Sequence, residues 1–136
     1  MTSDLLRKKV LLAEDDEDDR HFFQDFLSGH SRVELLPSVT NGAEVLAYLD
    51  TVSSNSALPD LIILDQNMPK MNGRETLTQL KADPRWSSIP VVVYSTYKDS
   101  TLVADCTRLG AAAVKAKPDS EEGYLELMEG CLEVVK

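Results

Sequence analysis

The apolar positions of this chain alternate between short aliphatic runs and longer stretches in which apolar residues recur every three or four places. Five runs read as strands: KVLLA (9–13), VELLP (33–37), LIIL (61–64), VVVY (91–94) and AAAVKA (111–116). Continuous apolar character marks strands covered on both faces, as in parallel sheets. The second run is the weakest, and its Pro37 suits a sheet edge, where a missing N–H breaks no central ladder.

The stretches between these runs have helical periodicity and readable starts. Phe22, Phe23, Phe26 and Leu27 make one apolar face of the first helix. Asn41 with Glu44 has the spacing of a capping box ahead of Val45, Leu46 and Leu49, and Asn72 with Glu75 repeats it ahead of Leu77 and Leu80. Asp99 or Ser100 caps a helix carrying Leu102, Cys106 and Leu109 and closed by Gly110. Asp119 with Glu122 opens the last helix, which has Leu125, Met128, Leu132 and Val135 on one stripe and Tyr124, Leu127, Cys131 and Val134 beside it.

A strand-then-helix alternation repeated five times predicts an α/β fold. It is a doubly wound five-stranded parallel sheet in flavodoxin-like order 2-1-3-4-5, with helices on both faces. No repeat, low-complexity tract or linker interrupts it, so residues 1–136 are expected to form one domain with its core at about 8–135. Such sheets bind ligands beyond the carboxyl ends of their strands, where the strand order reverses; here that point lies between strands 1 and 3.

Charge sharpens this picture. Fourteen basic and 23 acidic residues give a net charge of −9, which opposes binding to nucleic acid or to an anionic membrane surface. No stretch approaches the roughly 18 apolar residues of a membrane span, and the polar start MTSDLLRKK lacks a secretory apolar core, so a cytoplasmic location is expected. Cys106 and Cys131 form no Cys-x-x-Cys pair and read as buried or half-buried free thiols.

The acids are concentrated where the fold would bind a ligand. Glu14 to Asp19 are all acidic, and Asp65 stands at the end of the third and most apolar strand. Glu17, Asp18 and Asp19 suit a helix N-terminus, where the dipole favours negative charge. An EF-hand is excluded, because Arg20 stands where that loop requires Gly. Glu14 and Asp15, placed beside Asp65, would repel one another unless a cation stood among them, and oxygen ligands without His or Cys favour Mg²⁺. Strand 4 ends in Tyr94, Ser95 and Thr96, offering a hydroxyl, and strand 5 ends in Lys117 and Pro118, offering an ammonium.

As a set, "LLAEDD", "PDLIILDQNMPKMNG", "IPVVVYST" and "KAKP" resemble the response-regulator receiver domains of two-component signalling, of the stand-alone CheY-like kind, over nearly the whole chain. The resemblance implies that Asp65 accepts a phosphoryl group from a sensor histidine kinase or phosphotransfer protein. It further implies that Asp15, Asp65 and the backbone carbonyl of Asn67 ligate Mg²⁺, with Glu14 acting through a bound water. Ser95 would hydrogen-bond the phosphoryl oxygen, Lys117 would pair with Asp65 or the phosphate, and Lys117–Pro118 would be a cis bond. The chemistry agrees, since a carboxylate attacks phosphorus when metal and ammonium neutralise charge on the transferring oxygens.

One position departs from the family. Three residues before Lys117, where it commonly has Tyr or Phe, stands Val114, so the usual aromatic relay is absent; Tyr94 and Tyr97, flanking Ser95, are candidate substitutes. By the resemblance Asn67 and Tyr97 also line the approach of hydrolytic water, and the ring of Tyr97 is expected to shield a phosphoryl group on Asp65. With no effector domain after residue 136, output is expected through docking to an unknown output protein or through self-association. The two apolar stripes of the last helix suggest a homodimer through helix 4, strand 5 and helix 5. Two rivals stand beside this reading. A pseudo-receiver scaffold would work without phosphorylation. A phosphohydrolase with an Asp nucleophile would need an acid at Asn67 and its nucleophile after the first strand.

Overall fold

The computed structural model describes residues 7–135. The elements follow the predicted alternation: β1 (Lys8–Ala13), α1 (Glu17–Leu27), β2 (Val33–Leu35), α2 (Gly42–Thr51), a 3₁₀ turn (Asn55–Ala57), β3 (Leu61–Asp65), α3 (Gly73–Ala82), β4 (Val91–Ser95), α4 (Ser100–Leu109), β5 (Ala113–Ala116) and α5 (Glu121–Leu132). The strands form one sheet in the order β2-β1-β3-β4-β5, with every neighbouring pair parallel.

Alternation along the central strands divides the core into two layers. Leu11, Ile62, Leu64, Val91 and Val93 face α2, α3 and α4, meeting Val45, Leu49, Leu77, Leu80, Leu102 and Cys106. Val10, Leu12, Leu61, Ile63, Val92 and Tyr94 face the other way, onto Phe23 and Leu27 of α1 and Tyr124, Leu127, Met128 and Cys131 of α5. All five residues of β3 and of β4 are buried, which is why both strands read as unbroken apolar runs. Both cysteines are buried free thiols, and burial pushes the Cys131 pKa up to about 11.

Local chemistry corrects three expectations. Asn72 and Glu75 make the full reciprocal capping box. Asn41 caps α2 from one side only, because the Glu44 carboxylate accepts from Thr40 N and Oγ1 at 2.7 and 2.8 Å. Ser120, not Asp119, caps α5, accepting from Gly123 N. Among the described residues no peptide bond is cis, so Lys117–Pro118 is trans, the isomer favoured even before proline by about 0.5–1 kcal/mol.

The last helix spends most of its apolar residues inside the chain. Tyr124, Leu127, Met128, Cys131 and Leu132 are buried against the sheet and α1, while Leu125 of the other stripe is 39% exposed. Close approach accounts for Gly123, where a Cβ would stand 3.0 Å from Pro118 Cβ, while one on Gly130 would meet only the flexible end of Lys115, 3.2 Å away at Nζ.

Candidate phosphoryl-acceptor site

β1 and β3 are adjacent, with Ala13 opposite Leu64, so Glu14 and Asp65 emerge side by side at the carboxyl edge of the sheet. Glu14, Asp15 and Asp65 each present an oxygen within 4.8 Å of the others. Glu14 and Asp65 are buried and Asp15 is exposed, which gives the cluster one open side. Arg20 reaches back from α1 and donates to the carbonyls of Glu14 and Asp15 at 2.8 and 3.0 Å, fixing the turn that carries both acids.

Lys117, at the end of β5, supplies the counter-charge. Its Nζ lies 2.9 Å from Glu14 Oε1, 3.1 Å from Asp19 Oδ2 and 3.2 Å from Asp65 Oδ2. Burial would lower the Lys117 pKa, but the hydrogen bond and charge of Glu14, the charge of Asp65 and the bond to Asp19 outweigh it and raise the value. Asp65 is pushed up to about 7, first by burial and then by the hydrogen bond and charge of Glu14, against the opposing pull of Lys117 and the Asn67 N–H. A carboxylate under such pressure holds its proton near neutrality until a further cation arrives. The carboxylate-only ligand set and the open side at Asp15 fit a hard divalent metal ion.

The loop after β3 is held tightly. Asp65 Oδ1 accepts from Asn67 N at 3.2 Å, Gly73 N donates to Gln66 O, and Gln66 Oε1 accepts from Arg74 N at 3.0 Å. Lys70 has φ +67° inside a γ-turn closed by Met71 N to Pro69 O, a backbone state uncommon for a non-glycine residue. A Cβ on Gly73 would stand 2.9 Å from Asp65 O and 3.0 Å from Gln66 Cα, so only glycine lets α3 start this close to the strand end.

Ser95 follows Tyr94, the residue paired with Asp65 across β3 and β4. Ser95 is buried, with its Oγ accepting from Tyr97 N at 3.3 Å. Val114 pairs with Val93 in the sheet and packs in the core layer under α4. Tyr97 is 80% exposed and faces solvent.

Two contacts escaped the sequence reading. Tyr94, fully buried, donates its hydroxyl to Glu14 Oε1 at 2.5 Å and lies with its ring 5.2 Å from Lys117 Nζ. Burial and the adjacent Glu14 charge raise its pKa, so the hydroxyl stays a donor. Asp19, assigned above to the helix N-terminus, is an ion-pair partner of Lys117. The alternation of β4 could have flagged Tyr94 as facing α1, but nothing local signals either contact.

Comparison with known proteins agrees with this geometry. The profile of the response regulator receiver domain matches residues 10–129. Response regulator Rcp1 of Synechocystis sp. is 37% identical over 91 residues, covering 65% of this chain and 62% of Rcp1. The protein-glutamate methylesterase/protein-glutamine glutaminase of Geobacillus kaustophilus is 35% identical over 114 residues, 81% of this chain but 30% of the enzyme. The chain thus spans less than two thirds of these relatives' length. The phosphorylated cyanobacterial phytochrome response regulator RcpA superposes with a TM-score of 0.80 at 31% identity, covering 96% of this chain and 97% of that one. The Mn²⁺-bound form of Rcp1 gives 0.78 at 31% identity, covering 95% and 97%. The chain belongs to the response regulator receiver domain family.

Proposed function

We propose that Asp65 is the phosphoryl acceptor of a two-component phosphorelay, supplied by a sensor histidine kinase or phosphotransfer protein and read by a separate output protein. The observation that carries this is Lys117, whose ammonium lies within 3.2 Å of both Glu14 and Asp65 at the edge where a receiver sheet binds its ligand. In the transfer, an Asp65 carboxylate oxygen attacks phosphorus and forms a P–O bond. The bond from phosphorus to the donor's nitrogen breaks, and its electron pair leaves on that nitrogen. Lys117 neutralises charge on Asp65 and on the incoming oxygens, and Ser95, freed from Tyr97 N, donates its hydroxyl to the transferred group.

Asp15, Asp65 and the carbonyl of Asn67 would hold Mg²⁺, with Glu14 beside it through water. When bound, the ion spreads the charge of the phosphoryl oxygens. A cytoplasmic site of action fits a kinase-fed relay. Self-association through α4, β5 and α5 is a second output that this reading allows, with Leu125 left exposed on α5. The test is Asp65→Asn, which should stay folded and take no acid-labile label from acetyl phosphate with Mg²⁺. Stable label on the variant would place the acceptor elsewhere.

A further inference from the structure

Lys117 has more partners than its task in the transfer requires. An ammonium carries three N–H donors. Three carboxylates stand within 3.2 Å of Nζ, and the contact to Asp19, at 3.1 Å, is an aligned hydrogen bond. A phosphodonor approaching Asp65 therefore meets an ammonium already paired with three carboxylates.

The three partners differ in how easily they release it. The Glu14 side chain is fully buried and is also held by the Tyr94 hydroxyl and by Asp16 N at 3.1 Å, so losing Lys117 there would strand charge in the core. Asp65 is the nucleophile, and its pairing with Lys117 is part of the chemistry. The Asp19 side chain is 29% exposed, and water can take over its solvation when Lys117 leaves. Asp19 sits in the first turn of α1, with its own N–H bonded to Asp16 Oδ1, so its backbone is fixed and the Lys117 pair is the part free to change.

We propose that Asp19 is a positioning residue that holds Lys117 in the unphosphorylated state and yields it to the phosphoryl group. This inference rests on the reading of Asp65 as the phosphoryl acceptor. Asp19 then sets how readily the site accepts a phosphoryl group: its pair with Lys117 competes directly with the phosphoryl oxygens, and its negative charge opposes the entering dianion. Release of Lys117 on phosphorylation also unties α1 from the loop after β5. That tie borders a groove lined by Asp19, Phe22, Phe26, Pro118, Asp119 and Tyr124, so the groove is where the exchange becomes visible at the surface.

The experiment is calorimetric titration with fluoroberyllate, a phosphoryl mimic, at saturating Mg²⁺, alongside the rate of labelling by acetyl phosphate. Asp19→Asn keeps the side chain's shape but leaves a weaker, neutral acceptor for Lys117. It should bind fluoroberyllate about 3- to 10-fold more tightly and label faster in proportion. Asp19→Glu, which keeps the carboxylate, should behave like the unaltered protein. Asp18→Asn removes a nearby exposed charge without touching Lys117 and should change affinity by less than about twofold.

Unchanged or weaker binding in Asp19→Asn overturns the inference, as does an equal gain in Asp18→Asn, which would show a general charge effect. A purely structural ion pair would lower the melting temperature and leave affinity alone. Should Asp19→Asn fail to fold, the carboxyl ¹³C resonance of Asp19 in the unaltered protein serves instead. It should shift when fluoroberyllate binds, and a fixed resonance overturns the exchange. If the unaltered protein binds no fluoroberyllate, the phosphoacceptor reading falls and this inference with it; if it binds but Asp19→Asn gains nothing, only this inference falls.

Discussion

Tyr94 meets Glu14 across 80 residues of sequence, and it shows what a single buried hydroxyl does beside a charged cluster. Glu14 has no exposure to water, so each donor it receives replaces solvation it lost on folding. Tyr94→Phe should destabilise the metal-free protein by about 1.5–3 kcal/mol, the range for a hydrogen bond to a charged group, as read from urea denaturation. An unchanged midpoint would mean Lys117 and Asp16 N already satisfy the carboxylate. Asp65 works in the opposite sense. Its folded pKa is raised from 3.8 to about 7, so its contribution to stability is complete below the lower value and is lost as pH rises through the upper one. Metal-free protein should therefore lose stability between about pH 4 and 7, and Asp65→Asn should flatten that slope. A parallel slope in the variant would assign the titration to another group. At this scale the sequence showed which residues gather at the strand ends but not whom they touch. Asp65, Ser95 and Lys117 were legible because each ends a strand. The Asp19–Lys117 pair spans 98 residues and is decided by packing, so Asp19 read only as a helix-start acid.

Elements were more legible than contacts, because their signals are local. The buried run of β3 and the Asn72–Glu75 box at α3 are both written within a few residues. Ser120 displaced Asp119 as the cap of α5 because two adjacent capping residues offer the same chemistry, and chain geometry chooses between them. The α5 stripes are ambiguous for a related reason: apolar residues on two faces are equally consistent with a partner chain and with burial between α1 and the sheet. The junction of β3 and α3 is where an element controls the chemistry. Gly73→Ala would drive a Cβ to 2.9 Å from Asp65 O, a backbone atom that cannot swing aside, so the loop from Gln66 to Asn72 must shift. The expected result is a loss of about 1–3 kcal/mol, typical of overpacking, together with weaker Mn²⁺ binding as Asp65 moves relative to Asp15. Chemical denaturation with a parallel Mn²⁺ titration measures both; full metal affinity in the variant would show the loop does not set the site.

Across the whole molecule, strand order was legible because few topologies survive the rules for parallel crossovers, and the order then places Glu14, Asp15 and Asp65 at one edge. The site's assembly is thus a consequence of the fold, and its electrostatic cost is borne by the fold. A chain of net charge −9 brings three carboxylates within 4.8 Å, with Lys117 as the ammonium shared by two of them. A divalent cation that binds the folded cluster and not the unfolded chain must raise stability by mass action. The gain is about 2.7 kcal/mol at a hundredfold excess over Kd. For a domain of this size each kcal/mol moves Tm by roughly 3–6 °C, so saturating Mg²⁺ should raise Tm by on the order of 10 °C. Asp15 is the exposed member of the cluster and makes no ion pair with Lys117, so Asp15→Asn should remove the response while leaving the metal-free fold intact. Scanning calorimetry of both proteins, with and without Mg²⁺ at constant ionic strength, separates this from general screening. An equal rise in the variant would mean that the ion stabilises the acidic surface at large and that the cluster is not its site.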